Sequence, residues 1–140
     1  MGARTMARSR ADSAAASSVP PRVWMDLHGV LRVDYGFHAS ITLDLVRKAH
    51  RLHQAIAAGR RVPVLVLGHG ILDVEWEAYR FAQRPEVGAI TAAVALLATT
   101  PLERHLAQLF LLYHRPAHPV RVFREDRAAV DWLRQYRLLS

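Results

Sequence analysis

The chain has 140 residues, 51% apolar and 22% charged, which predicts one folded domain, and no apolar run reaches the roughly 20 residues that span a membrane. It contains no cysteine, which excludes disulfides and thiolate chemistry and favours a cytoplasmic location. The net charge is +7, but Lys48 is the single lysine among 19 basic residues and the arginines are scattered, so nucleic-acid binding is not predicted.

Residues 1–22 are rich in Ala, Ser and Arg and show no apolar periodicity, so we predict a disordered basic tail. The segment also lacks the apolar core of about 7 residues that a secretory signal requires. The remaining residues, 23–140, are predicted to form one α/β domain.

Two short strand patterns open this domain and are followed by a helix. Residues 23–26 and 30–34 flank a Leu-His-Gly turn, which is typical of an antiparallel hairpin. Thr42 is a suitable N-cap for a helix that ends near Gly59, because apolar residues recur between them at helical spacing.

The run 61–70, Arg-Val-Pro-Val-Leu-Val-Leu-Gly-His-Gly, predicts the central strand. Its almost unbroken aliphatic sequence indicates a strand covered on both faces, as in a parallel sheet. Pro63 lacks a backbone N–H and is therefore expected at the first position of the strand. The preceding helix would form the crossover between this strand and the hairpin.

The segment after Gly70 predicts a short helix followed by a second buried strand. Asp73 is placed to act as the N-cap of this helix, which is expected to end before Pro85. Residues 91–98 are small and aliphatic, as expected of a strand inside a sheet.

The last third of the chain predicts two further helices and one strand. Thr100 and Glu103 have the spacing of a capping box, which indicates a helix start. Residues 120–123 predict the last strand, and Asp126 caps the last helix. The chain is therefore predicted to be an α/β fold with four helices on a mixed sheet, in which parallel strands follow an opening antiparallel hairpin.

Short motifs follow one another along residues 23–136 in a characteristic order. They are Val-Trp-Met-Asp in the opening strand, Pro-Val-Leu-Val before a glycine, Glu-Ala-Tyr-Arg-Phe at 77–81, Ala-Leu-Leu at 95–97, Thr-Pro-Leu-Glu-Arg at 100–104, Pro-Val-Arg-Val-Phe at 119–123 and Ala-Val-Asp-Trp-Leu at 129–133. Together they resemble the STAS-like, or SpoIIAA-like, group of small bacterial α/β domains. The resemblance implies a non-enzymatic protein-interaction or regulatory module.

In STAS antagonists, a Ser or Thr at the start of the helix after the central strand is phosphorylated by a partner kinase. The corresponding position here is Glu75, so the resemblance implies a module without a phosphorylatable Ser at the switch position. A protein partner of unknown identity would then contact the strand end and the following helix. This predicted partner-binding surface comprises Gly68, His69, Gly70, Asp73, Glu75, Trp76 and Tyr79.

The same residues support two other hypotheses. His69, oriented by Asp73 or Glu75, would be the general base of a small enzyme, although no serine nucleophile motif accompanies it. Trp76 and Tyr79 share one helix face, a pattern most often found in a core. If that face is exposed, it is an interaction patch or the lid of an apolar-ligand pocket between helices and sheet.

No cofactor and no metal site are predicted. A Gly-His-Gly turn before a helix offers backbone N–H groups to an anion, but residues 68–70 have no lysine nearby and are followed by acids, which favours a plain turn. His50 and His53 lie one helical turn apart without an acidic third ligand, so we predict that they lie on a solvated helix face.

The helix over residues 102–113 has apolar residues on more of its circumference than packing against a sheet requires. The excess would be buried against a second copy of the chain. We therefore predict a symmetric homodimer that uses this helix.

Overall fold

The computed structural model describes residues 19–137, so most of the predicted tail lies outside the described residues. Within that range the chain forms seven strands and five helices. The strands are β1 (Arg22–Met25), β2 (Leu31–Phe37), β3 (Ser40–Ile41), β4 (Val62–His69), β5 (Asp73–Val74), β6 (Thr91–Leu97) and β7 (Val120–Phe123). The helices are α1 (Leu43–Ala57), α2 (Trp76–Ala82), α3 (Pro85–Gly88), α4 (Pro101–Tyr113) and α5 (Asp126–Arg137).

The main sheet has five strands in the order β1-β2-β4-β6-β7. Strands β1 and β2 are antiparallel, with Val23 opposite Val33, and every other neighbouring pair in this sheet is parallel. The predicted mixed sheet with an opening hairpin is therefore confirmed. Strands β3 and β5 form a separate two-stranded parallel sheet that the sequence did not reveal.

The central strand β4 is buried over its first half, as its apolar run predicts. Pro63 occupies its second position, not the first, at a point where the register with β6 shifts between Val62 and Pro63. A register irregularity is one of the few places where a strand accommodates a residue without an N–H.

Successive β4 side chains point to opposite faces of the sheet, so the domain has two cores. On one face, Leu65 packs with small sheet residues against α5, which contributes Ala129, Val130 and Leu133. On the other face, Val64 belongs to a cluster that includes the buried alanines of α1. Helices on both faces explain why the parallel strands are apolar without alternation.

The two best-defined helix starts follow the predicted capping chemistry. The Thr42 hydroxyl accepts the Leu45 N–H at 3.2 Å. At α4, Thr100 and Glu103 form a reciprocal capping box, with Pro101 in the first turn. These bonds satisfy N–H groups that have no partner within the helix.

The prediction that Asp73 caps the next helix is wrong. Asp73 lies in β5, paired with Ser40, and both Leu72 and Asp73 donate their N–H groups to the Ala39 carbonyl. Helix α2 instead begins at Trp76, with Glu75 at the N-cap. Pairing with a distant segment holds residue 73 in an extended conformation, so the local capping preference is not used.

The structure also has one helix more than predicted. Helix α3 is a single turn that begins at Pro85, directly after the expected stop of α2. A proline ends the preceding helix and is well suited to the first turn of a new one, because its φ angle is fixed near the helical value and it needs no N–H partner.

Candidate functional site

A cavity of about 510 Å³ lies between one face of the main sheet and helices α1, α2 and α4. It occupies the side of the sheet opposite α5. Its walls are mainly aliphatic and aromatic side chains. Representative lining residues are Val33, Val66, Val94 and Leu96 from the sheet and Ala49, Ala78, Leu106 and Phe110 from the helices.

Small side chains on the surrounding helices keep this space open. Ala49 on α1, Ala78 on α2 and Ala107 on α4 all line the cavity, and none of them extends far enough to fill it. Helix α4 has no buried residue, so it covers the sheet without packing closely against it. A concave, mainly apolar space of this size is typical of a small-ligand site.

Aromatic rings join α2 to the end of α4 at one side of the cavity. Tyr79 lines the cavity, stacks on Trp76 at 5.6 Å between ring centroids and lies 4.5 Å from the ring of His114. Phe110 contacts the same histidine at 4.7 Å. Trp76 itself is 55% exposed and lies outside the cavity lining, so only Tyr79 of this stacked pair lines the cavity.

The prediction that His50 and His53 lie on a solvated helix face is wrong, because both are buried and both line the cavity. His53 Nε2 donates to the Ile90 carbonyl at 2.9 Å, since a carbonyl can only accept. Burial lowers the pKa of His53 to about 4, against the opposing effect of this hydrogen bond. Burial also lowers the pKa of His50. A signal was present in the sequence, because the four-residue spacing of Ala49, His53 and Ala57 places His53 on the buried stripe.

The predicted turn at residues 68–70 is not formed as expected, because Gly68 and His69 belong to β4 and only Gly70 lies beyond its end, in a bend. The Ile71 side chain packs directly against Gly68, and it would have to shift to admit a Cβ there. Gly70 has a φ of +70° and donates its N–H to Glu103 Oε1 at 3.2 Å. An internal carboxylate therefore occupies the place that a bound anion would take.

Glu103 is held in place by several backbone donors. Partial burial opposes its ionisation, but hydrogen bonds from the N–H groups of Gly70, Thr100 and Thr99 keep the pKa of this carboxyl below its usual value. Its ionised form thus ties the start of α4 to the end of β4. The sequence pattern identified only its capping role within α4.

The structure does not bring His69 to the acids that were expected to orient it. The His69 ring is exposed and lies 5.1 Å from the Phe37 ring. Asp73 accepts from the Ser40 hydroxyl at 3.5 Å, and Glu75 accepts from the Leu43 N–H at 3.1 Å. Over residues 19–137 neither carboxylate is hydrogen-bonded to His69, so the arrangement lacks the oriented base of the enzyme hypothesis.

Glu75 was expected in the first turn of its own helix, but its carboxylate caps a different one. Its bond to Leu43 satisfies an N–H group at the start of α1, beside the Thr42 cap. The negative charge there is also favourable to the α1 dipole. Glu75 therefore links the N-terminal ends of α1 and α2.

We expect Glu75→Ala to cost about 1 kcal/mol of unfolding free energy, because an α1 N–H group loses its acceptor. Glu75→Gln should cost about 0.5 kcal/mol or less, since its amide oxygen can accept the same bond. Urea denaturation of both variants measures this difference, with Glu77→Ala, also an exposed acid near the start of α2, as the control. Equal stability of Glu75→Ala and the unmodified protein would contradict this capping role.

Two further features bear on the predicted absence of metal and membrane sites. Across the described part of the chain, no three His, Asp or Glu side chains are grouped so that they could hold a metal ion. None of the helices within residues 19–137 combines the length and the apolar character needed to cross a bilayer.

The architecture is that of a SpoIIAA-like domain. An uncharacterized protein of the DUF3478 family with a SpoIIAA-like fold, from Shewanella loihica PV-4, superposes with a TM-score of 0.51 at 14% identity, over 81% of this chain and 91% of its own. This similarity confirms the predicted fold. A protein of unknown function from Arthrobacter sp. FB24 is 26% identical over 79% of this chain and 90% of its own, with a TM-score of 0.28.

Sequence comparison then assigns the family. Residues 23–137 match the domain of unknown function DUF7793, and the chain belongs to that family. The match extends from β1 to the end of α5. No curated protein matches the sequence.

Proposed function

We propose that this domain is a non-enzymatic, cytoplasmic binding module that holds a small, largely apolar molecule between the sheet and helices α1, α2 and α4. The observation that supports the proposal is the cavity of about 510 Å³ with mainly apolar walls. Pockets for small ligands typically measure roughly 300–1,000 Å³ and are lined by apolar and aromatic side chains.

An apolar ligand suits this cavity better than water does. Water needs two to four polar partners, and walls such as Val33, Val66, Val94 and Leu106 provide none. Burial of apolar surface on ligand binding contributes a favourable free energy of about 25 cal/mol per Å². The ligand would therefore also strengthen the attachment of α4, which has no buried residue of its own.

The proposal predicts that filling the cavity with a large side chain blocks ligand binding. Ala107→Trp places an indole at a lining position on α4 and should weaken binding of the neutral apolar dye Nile red by at least about tenfold. Ala128→Trp introduces the same side chain at an exposed position of α5, on the opposite face of the sheet, and should leave binding unchanged. Fluorescence titration measures both. Equal dye affinity of the two variants would contradict binding in the cavity.

A second candidate function is the STAS-like interaction module that the sequence resemblance implies. It is supported by large apolar side chains left in contact with solvent on α4, which include Leu102, Leu112 and Tyr113. Glu75 carries no hydroxyl to phosphorylate, so such a module would not be controlled by a kinase at that position. We propose that the partner of the α4 surface is a second copy of this chain.

This dimer is expected to depend on α4. Light scattering at micromolar concentration should report twice the 15.8 kDa chain mass. Leu112 is 62% exposed in the single chain and would be buried in the dimer interface. Leu112→Asp should therefore yield a monomer, because the interface would have to bury an unpaired charge. Leu27→Asp, at a fully exposed position of the hairpin turn, is the matched control. A monomeric unmodified protein at all micromolar concentrations would rule this assembly out.

A further inference from the structure

The cavity wall contains a tyrosine hydroxyl that has no hydrogen-bond partner among the described residues. Tyr35 lies near the carboxyl end of β2, lines the cavity and packs against the core on the α1 side of the sheet. Burial raises the pKa of Tyr35, and no hydrogen bond acts on its hydroxyl. The phenol therefore stays protonated at neutral pH and presents an unused donor.

This hydroxyl retains accessible surface, which a ligand needs in order to reach it. Within residues 19–137, the buried side-chain atoms that lack both a partner and accessible surface are Nδ1 of His38 and Nδ1 of His50. The Tyr35 hydroxyl also lacks a partner but is not one of these enclosed atoms, and its side chain is only partly buried. Because Tyr35 lies deep enough for burial to raise its pKa, this remaining surface faces the cavity and not the bulk solvent.

The other polar side chains of the wall are either bonded within the protein or lie elsewhere. Those with an internal hydrogen bond are His53, Asp73, Gln83, Thr91 and Glu103. Tyr113, His114 and His118 precede β7, at the opposite end of the sheet from Tyr35. Tyr79 contacts this second group, since its ring lies 4.5 Å from that of His114. Tyr35 therefore supplies the free donor near the carboxyl ends of the strands.

The charges of the wall do not favour an ionic ligand. In the part of the chain that the structure describes, no lysine or arginine lines the cavity, whereas Asp73 and Glu103 do. A carboxylate would be desolvated without a cationic partner, which is costly. An ammonium group has no lone pair and cannot accept a hydrogen bond from the Tyr35 hydroxyl. The group that suits Tyr35 is therefore a neutral acceptor.

We infer that the ligand of this cavity is an apolar molecule with a neutral carbonyl group, whose oxygen accepts a hydrogen bond from the hydroxyl of Tyr35. This inference rests on the proposed function and specifies its ligand class. A carbonyl oxygen only accepts, so it satisfies the hydroxyl without adding a donor that needs a partner of its own. The alkyl part of the molecule then occupies the aliphatic remainder of the cavity.

The test compares three probes with eight carbon atoms, which are 2-octanone, octane and octanoate, as competitors of Nile red at neutral pH. Octanoate is expected to bind at least about tenfold more weakly than 2-octanone, because it loses its charge solvation without a cationic partner. Octane fills the cavity in the same way but has no acceptor. The affinity of 2-octanone relative to octane, measured with the same protein variant, does not depend on the affinity of the dye.

Tyr35→Phe removes the hydroxyl and keeps the ring. It should lower the affinity of 2-octanone relative to octane by about three- to tenfold, the effect of one neutral hydrogen bond. Tyr79→Phe, at another lining tyrosine, should leave this ratio unchanged. Tyr136→Phe, at a partly buried tyrosine packed against the α5 core, should also leave it unchanged.

The melting temperature without ligand provides a second readout. Tyr35→Phe should leave it unchanged or raise it, because the substitution removes a donor that has no acceptor in the protein. A fall of more than about 3 °C would show that the hydroxyl has an internal partner and would overturn the inference. Circular dichroism and octane binding establish that the fold and the cavity of each variant are intact.

The outcomes distinguish this inference from the proposed function. If Nile red and octane bind but the ratio is the same in Tyr35→Phe, or falls only in Tyr79→Phe, the carbonyl inference is overturned and the apolar cavity remains functional. Octanoate binding as tightly as 2-octanone overturns the inference in the same way. If the unmodified protein binds none of these molecules, both are overturned. A lower ratio in Tyr35→Phe alone supports both.

Discussion

Acidification from pH 7 to pH 4 is expected to lower the unfolding free energy by about 3 kcal/mol through His53 alone. Burial lowers the pKa of this side chain to about 4 in the folded protein, from an ordinary value of 6.5. Between these two values the unfolded chain binds a proton that the folded chain does not. The stability contribution is therefore complete above pH 6.5 and is lost as the pH falls to about 4.

Other groups change the size of the effect but not its sign. Burial also lowers the pKa values of His50 and His118. Both residues therefore also lower the unfolding free energy as the pH falls below 6.5. Below about pH 4, protonation of Asp126 adds a further loss, because its hydrogen bond with Arg32 holds the pKa of the Asp126 carboxyl below 3.8.

His53→Gln isolates the contribution of this residue. The glutamine amide can donate to the Ile90 carbonyl from nearly the position of Nε2, but it does not titrate. Urea denaturation at a series of pH values measures the unfolding free energy. Between pH 7 and pH 4 this free energy should fall by about 3 kcal/mol less for the variant than for the unmodified protein. His69→Gln, at an exposed position, is the matched control. Identical pH dependence of His53→Gln and the unmodified protein would disprove the role of His53.

Leu65→Ala is expected to cost about 2–5 kcal/mol of unfolding free energy. Leu65 is 0% exposed in the central strand and packs on the α5 side of the sheet. Its neighbours Ala93 and Ala95 are too small to move into the space that the substitution leaves. The lost contacts and the new cavity both destabilise the folded state.

The same variant also tests the separation of the two sides of the sheet. Leu65 does not line the ligand cavity, so folded Leu65→Ala protein should retain its Nile red affinity. Leu27→Ala, at a fully exposed position, is the control and should change stability by about 0.5 kcal/mol or less. A loss below about 1 kcal/mol for Leu65→Ala would show that the α5 core is not tightly packed.

The sequence by itself determined the features that depend on neighbouring residues. The apolar run of β4, the Thr42 cap and the Thr100–Glu103 capping box were predicted and found, because strand burial and helix capping are set by residues close in sequence. The order of these elements, with the motif resemblance, was sufficient for the mixed sheet and the SpoIIAA-like fold.

Contacts between distant segments decided the rest. Asp73 is a good cap by composition, but pairing of β5 with β3 holds it extended, and Glu75 caps α1 across 32 positions of sequence. His50 was expected in solvent because the His50–His53 pair has no acidic third ligand nearby in sequence, yet the packing of α1 against α2 buries it beside Phe81. The cavity depends on how far α4 stands from the sheet, and this separation is set by tertiary packing because α4 buries no residue of its own.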